Sequence, residues 1–195
     1  MATHLDLLDG GKLAYDEAFY ARDRADGLFA ELKIQTPWRQ EQSRLGFFPR
    51  LTAWYADSGL TYSYSGVTHH GLPWTPTLTA IRRAVEAAAG APFNSLLLNR
   101  YRDGNDSIGY HADDEPELGV NPVIASLSLG AVRRFVLKHG KSGEKLAFEL
   151  AHGSLLIMAG ACQHHWRHAV PKTKTVVGER INLTFRNIIT DSGAV

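Results

Sequence analysis

The sequence predicts a mainly β fold: a double-stranded β-helix (jelly roll) with helices on its N-terminal side. Three observations predict it. Six short segments, at 93–101, 123–129, 135–138, 146–150, 154–158 and 180–188, are rich in β-branched or aromatic residues and punctuated by Gly, Asn and Asp. Most of the gaps between them are too short for crossover helices, which argues against a parallel α/β sheet and for an antiparallel sandwich or barrel. Helical periodicity is confined to the first ninety residues.

The N-terminal third reads as a leading segment followed by a helix, with Ala25, Leu28, Phe29 and Leu32 forming one apolar stripe. A second helix is better marked. Thr75-Pro76 supplies a cap and a first-turn proline, Leu78, Ile81 and Val85 form the stripe, and Gly90 ends it. From residue 93 onward nearly everything reads as strand, and Gly140-Lys-Ser-Gly143 reads as a hairpin tip.

The bulk numbers fit one domain over 1–195, with 44% apolar and 21% charged residues. No apolar run approaches the ~18 residues of a membrane span, and the first residues lack the basic region of a signal peptide. Cys162 is the only cysteine, so no intrachain disulfide is possible. A monomeric cytoplasmic protein is the expectation. The net charge of +1 neither demands nor excludes nucleic acid, since small basic groups such as Arg82–Arg83, or Arg133–Arg134 with Lys138, are hidden in a neutral total.

The nine histidines are unevenly spread. His111 and Asp113 stand in Gly109-Tyr-His-Ala-Asp-Asp-Glu115, and His164, His165 and His168 in Gln163-His-His-Trp-Arg-His-Ala-Val-Pro171. In an extended segment, residues two apart share a face, so a His-x-Asp pair presents imidazole and carboxylate together. A third histidine would complete a two-His, one-carboxylate facial triad with positions left open on iron(II). The pair alone is weak, because chance gives about 0.5 such matches in a chain with this many histidines and aspartates. A second feature is Arg180-Ile-Asn-Leu-Thr-Phe-Arg186, where Arg180, Asn182, Thr184 and Arg186 share one strand face. That face suits an edge strand in water as well as it suits a site for a dicarboxylate, to which two arginines would offer fork-shaped donors. Asn99 and Tyr101 share a face of an earlier strand in the same way.

Asn99-x-Tyr101-x-Asp103-Gly104, His111-x-Asp113, Trp166-Arg-His168-x-Val-Pro171 and Arg180-x-Asn-Leu-Thr-Phe-Arg186 occur in this order. Together they resemble the AlkB family of nucleic-acid dealkylating dioxygenases, over most of the chain. Pro49-Arg-Leu-Thr-Ala-Trp-Tyr55, Phe93-Asn-Ser-Leu-Leu97 and His111-Ala-Asp-Asp-Glu-Pro-Glu-Leu-Gly119 are similar to the eukaryotic-type homologues that prefer single strands. The resemblance implies a catalytic core over 49–188 behind an N-terminal extension and helix over 1–35. It implies iron(II) on His111, Asp113 and His168, with His164 and His165 as decoys. It also implies 2-oxoglutarate as cosubstrate, its distal carboxylate on Arg180 with help from Asn99 and Tyr101, and Asn182 and Arg186 near the chelating end. Tyr62 and Tyr64, in Thr61-Tyr-Ser-Tyr-Ser-Gly66, become candidates for stacking on a flipped base, although the residues alone read as a core hairpin. Asp114 and Glu115 would suit a cationic base such as 1-methyladenine or 3-methylcytosine. The implied reaction consumes O₂ and 2-oxoglutarate and releases formaldehyde, succinate and the restored base.

One departure bears on the substrate. Family members specialised for duplex DNA carry an apolar finger ahead of the Pro-Arg pair, whereas Arg39-Gln-Glu-Gln-Ser-Arg44 is polar, with Phe47 and Phe48 following. A polar loop is poorly suited to replace a base in the stack, so single-stranded DNA or RNA carrying alkylated bases is the expected partner. Two alternatives stay open: a hydroxylase of the same chemistry acting on a protein or small molecule, and a catalytically silent nucleic-acid-binding module.

Overall fold

Both helices form where the apolar spacing places them. The computed structural model describes residues 2–43, 46–64 and 67–189, apart from the side chains of Ser43 and of residues 62–70. Helix α1 (Arg22–Gln35) buries Ala25, Leu28 and Leu32. Helix α2 (Pro76–Ala89) buries Leu78, Ile81 and Val85. The Thr75 side chain accepts the Leu78 N–H at 3.2 Å, and Gly90 leaves α2 in the left-handed region at φ 62°.

In chain order the strands are β1 (Thr3–Asp6), β2 (Gly11–Asp16), β3 (Gln42–Ser43), β4 (Gly46–Phe47), β5 (Leu51–Ala56), β6 (Thr61–Tyr64), β7 (Val67–His70), β8 (Ser95–Tyr101), β9 (Ile108–His111), β10 (Ile124–Gly130), β11 (Arg133–His139), β12 (Lys145–Leu150), β13 (Ser154–Gly160), β14 (Trp166–Val170) and β15 (Arg180–Arg186). A single helical turn, α3 (Cys162–His165), leads into β14. Seven strands form a large sheet in the order β1-β2-β13-β10-β15-β8-β5, and four form a small one, β12-β11-β14-β9. Every pairing within these two sheets is antiparallel, as a jelly roll requires.

The large sheet has two cores. Its outer face carries Leu96, Leu98, Leu127, Leu183 and Phe185 against α1 and α2. Its inner face, with Tyr101, Ile124, Leu156 and Met158, meets Phe135, Leu137 and Trp166 of the small sheet. Burial of apolar surface on both faces is the main force holding the layers.

All six strands read from the sequence are present, with the last ending at Arg186 rather than residue 188. The leading segment differs from the expectation. Residues 3–16 form a hairpin that adds β2 to the edge of β13. β1 is exposed at every residue, so no apolar alternation marks it. β15 is not an edge strand. It lies between β10 and β8, and its polar face is turned inside the sandwich.

Candidate active site

β9 and β14 run antiparallel with His111 directly opposite His168, so the sheet register itself juxtaposes two imidazoles from distant sequence. Their ring centroids lie 4.2 Å apart. Asp113 follows two residues after His111, and its Oδ2 lies 4.0 Å from His168 Nε2. One ligand atom from each of the three residues falls within 4.8 Å of the others. His164 and His165 stand outside this group: His164 accepts the Asn121 N–H, and His165 turns towards Asp9.

The three groups are prepared for a cation. His111 Nδ1 lies 2.9 Å from the Gly109 carbonyl, which can accept its proton, so Nε2 is the nitrogen available to a cation. Burial, and after it the positive charge of His111, pushes His168 down to about 3, so its imidazole is neutral. Burial raises the Asp113 carboxyl, but Arg186, with smaller help from His168 and His111, outweighs it and holds Asp113 below the usual carboxylate value. Arg186 Nη2 donates to Asp113 Oδ1 at 2.6 Å, while the buried Oδ2 has no hydrogen-bond partner. A buried ionised oxygen left open beside two imidazoles fits a divalent cation.

The backbone N–H of Asp113 donates to Gln163 Oε1 at 3.0 Å, which fixes the ligand loop from α3. Gln163 is almost fully buried, and its Nε2 meets only the thioether of Met158 at 3.6 Å. Its role escaped the sequence reading because 50 residues separate the two partners and nothing local marks the contact.

Behind the cluster, Arg180 is 1% exposed. Its Nη2 donates to Ser128 Oγ at 2.9 Å, and its Cζ lies 5.2 Å from the Tyr101 ring centre. Nε and Nη1 have no partner. Burial lowers this guanidinium from its ordinary value, and no carboxylate among the described residues pairs with it. An orphaned, buried guanidinium is costly unless a ligand carboxylate completes it, so the residues present fit the distal end of a dicarboxylate.

The other expected contacts divide. Tyr101 stands directly opposite Arg180 in the β15–β8 register. Asn99 lies two pairs further on, opposite Asn182, and its Oδ1 accepts from Arg50 Nε at 2.7 Å. Asn182 is committed to the sheet, donating to Ser126 Oγ at 2.8 Å and to the Leu127 carbonyl at 3.1 Å, and accepting from Thr184 Oγ1 at 2.9 Å. Arg186 reaches the cluster itself.

A cavity opens beside the cluster, lined among others by Arg50, Trp54, His111, Asp113, Glu115 and Arg186. Glu115 faces it, whereas Asp114 is exposed and outside the lining. Arg50 and Trp54 flank β5's inward Thr52 at two-residue spacing, a period legible in Arg50-Leu-Thr-Ala-Trp54 that sequence reading left without a role. Tyr62 and Tyr64 lie on β6, and their side chains fall outside the described residues.

Comparison with known proteins follows the same lines. Residues 13–186 match the model of the 2OG-Fe(II) oxygenase superfamily. The human DNA oxidative demethylase ALKBH2 is 41% identical over 191 residues, covering 92% of this chain and 70% of that protein. The rat alpha-ketoglutarate-dependent dioxygenase alkB homolog 3 is 44% identical over 184 residues, covering 86% and 61%. The chain thus spans about two thirds of the length of these relatives. A solved structure of OsALKBH1 superposes with a TM-score of 0.70 over 95% of this chain and 100% of that one, at 17% identity, a likeness of fold alone.

Proposed function

We propose that this chain, which belongs to the 2OG-Fe(II) oxygenase superfamily and within it to the AlkB homologues, oxidatively demethylates N-alkylated bases in DNA. The observation that carries the reading is the pairing, between the two sheets, of a His-Asp-His cluster with a buried arginine that meets no carboxylate among the described residues.

His111, Asp113 and His168 would hold iron(II) and leave adjacent positions open. Iron(II) with 2-oxoglutarate supplies the oxidising power from O₂ that no side chain in the cavity possesses. Arg180 and Tyr101 would bind the distal carboxylate of 2-oxoglutarate, and Asn99, through Arg50, would hold the cavity wall in place. Asn182 would act through the sheet it ties together. Arg186 keeps Asp113 ionised and oriented. Glu115, Trp54 and Arg50 would wall the base, with Tyr62 and Tyr64 as stacking partners, and Asp114 would favour a cationic lesion from outside the cavity.

Single strands are the favoured substrate, with RNA as a second polymer, a monomer as the working form and the cytoplasm as its compartment. The polar run before Pro49 supports the strand preference. Among the described residues no helix is long and apolar enough to cross a membrane. One observation favours duplex DNA instead: Phe47, on the short β3–β4 hairpin, is 66% exposed and offers an apolar ring.

The deciding experiment gives the iron-loaded protein 2-oxoglutarate and oligonucleotides carrying 1-methyladenine or 3-methylcytosine, as single strands, duplexes and RNA. Formaldehyde and restored base are measured, and release is expected to be fastest from single-stranded DNA. Equal or faster repair in duplex DNA would sink the strand preference. Succinate formation without demethylation would favour a protein or small-molecule hydroxylase, and no turnover at all would favour a binding module.

A further inference from the structure

His165, which the His-Asp-His cluster leaves aside, belongs to a second group of the same composition. Asp9 lies in the 3₁₀ turn Leu8–Gly10 between β1 and β2, His139 ends β11, and His165 ends α3. Asp9 Oδ2 is 3.2 Å from His139 Nε2 and 4.0 Å from His165 Nδ1, and the three ligand atoms lie within 4.8 Å of one another. We propose that Asp9, His139 and His165 form a second divalent-cation site, of the zinc class, that clips the N-terminal hairpin to the small sheet.

Spacing is the first argument. Two ligands bonded at about 2.0–2.1 Å to one tetrahedral cation stand roughly 3.3–3.4 Å apart, so Asp9 and His139 at 3.2 Å are already in place, and His165, at 4.0 Å and too far for a hydrogen bond, has only to close by several tenths of an ångström. The molecule supplies its own yardstick, since His168 Nε2 and Asp113 Oδ2 in the candidate iron cluster are also 4.0 Å apart. Donor chemistry is the second. Two imidazoles and a carboxylate make three of the four ligands of a tetrahedral zinc site, and Asp9 and His165 reach solvent, where water can supply the fourth. Among the described residues Asp9 meets no lysine or arginine, so its charge is left to these two histidines.

Preorganisation is the third. The Gly140 N–H donates to the His165 carbonyl at 2.8 Å, the Ala161 N–H to the Gly10 carbonyl at 3.1 Å, and Trp166 Nε1 to the Leu8 carbonyl at 3.2 Å. These bonds tie all three ligand-bearing segments together before any cation arrives. Asp9 itself is held at φ 56°, a left-handed conformation rare for a non-glycine residue. His139 is buried, and its Nδ1 lies 2.8 Å from Ser142 Oγ, which can accept the Nδ1 proton and leave Nε2 for the cation. The Ser142 N–H, 3.1 Å from Nδ1, loses its acceptor in that state, which makes the site weaker than a closed structural zinc site.

The test is equilibrium dialysis of the full chain against Zn²⁺, with bound metal counted per chain. Wild type should bind two equivalents, Asp9→Asn, His165→Ala and His168→Ala one each, and the Asp9→Asn/His168→Ala double variant none. Asn tolerates the left-handed backbone, so Asp9→Asn should fold. His164→Ala should still bind two. In the His168→Ala background, Zn²⁺ at about a hundredfold over its Kd should raise the melting temperature by roughly 5–10 °C, and Asp9→Asn should abolish the shift. A single equivalent in wild type that survives Asp9→Asn, or two retained in Asp9→Asn, would overturn the proposal. So would loss of an equivalent in His164→Ala. A single equivalent in wild type that is lost in Asp9→Asn would count against the His111, Asp113 and His168 site alone.

Discussion

Arg180 and Arg186 stand on the same face of one strand, six residues apart, and meet opposite conditions. Arg186 has its carboxylate inside the protein, donating to Asp113 at 2.6 Å. Arg180 is buried more deeply and, among the described residues, meets no carboxylate: Ser128 and Tyr101 face it, and Nε and Nη1 have no geometric hydrogen-bond partner. A folded chain does not keep a guanidinium buried and half-satisfied for its own stability. The difference assigns the two ends of the strand different tasks. One end fixes a carboxylate that belongs to the protein, and the other, on the proposed function, is left for a carboxylate that does not.

The contrast can be broken at either end. His168→Ala should remove iron(II) binding and turnover altogether, a loss beyond the roughly 10–100-fold that an outer hydrogen-bond partner costs, whereas His164→Ala should leave both intact. Iron retention and formaldehyde release measure this. The reverse pattern would reassign the third ligand.

Arg180→Met should weaken 2-oxoglutarate binding by about 100-fold or more, the cost of leaving a buried carboxylate unpaired, while iron(II) retention stays unchanged. The cosubstrate-free variant should also melt at a higher temperature than wild type, because an orphaned charge has gone. A lower melting temperature would mean that Arg180 is a structural residue.

Gln163→Leu tests the iron end more gently. It removes the acceptor of the Asp113 N–H without touching a ligand. Iron(II) affinity should fall about 10–100-fold, and raising the iron concentration should recover most of the turnover. A variant equally inactive at all iron concentrations would contradict a positioning role.

The smallest effect is expected where an arginine pair has no ligand to serve. Asp106 accepts from the Arg102 N–H and Nε, both at 2.8 Å. Burial raises its carboxyl, but the Arg102 hydrogen bonds prevail and hold it below the ordinary value. A depressed carboxyl stabilises the fold above its unfolded value, near 4, and that contribution is lost as pH falls through the folded value. Asp106→Asn should therefore cost about 1 kcal/mol at pH 7, kept small because Arg102 is solvent-exposed. In urea melts the gap from wild type should narrow as pH falls below about 4.

Much of this was legible in residue order. α2 was marked at both ends by Thr75 and Gly90 and in the middle by its stripe, because capping and amphipathicity are local. The alternation of Arg180, Asn182, Thr184 and Arg186 disclosed a polar strand face, though not whether water or protein covered it. β9 and β14 were harder: Gly109 interrupts one, Arg167 and His168 the other, and neither shows clean alternation. β1, exposed throughout, gave no signal.

The sequence by itself determined the ligand types, the order of the motifs and a fold class that follows from period and punctuation. Only the tertiary structure decided that His111 faces His168, that Gln163 braces Asp113, that Asn99 accepts from Arg50, and that Asp9 meets His139 and His165. The physical reason is the range of the forces. Helix caps and strand alternation act over a few residues, whereas cross-strand register, and the burial that leaves a charge unpaired, depend on segments the fold alone brings together.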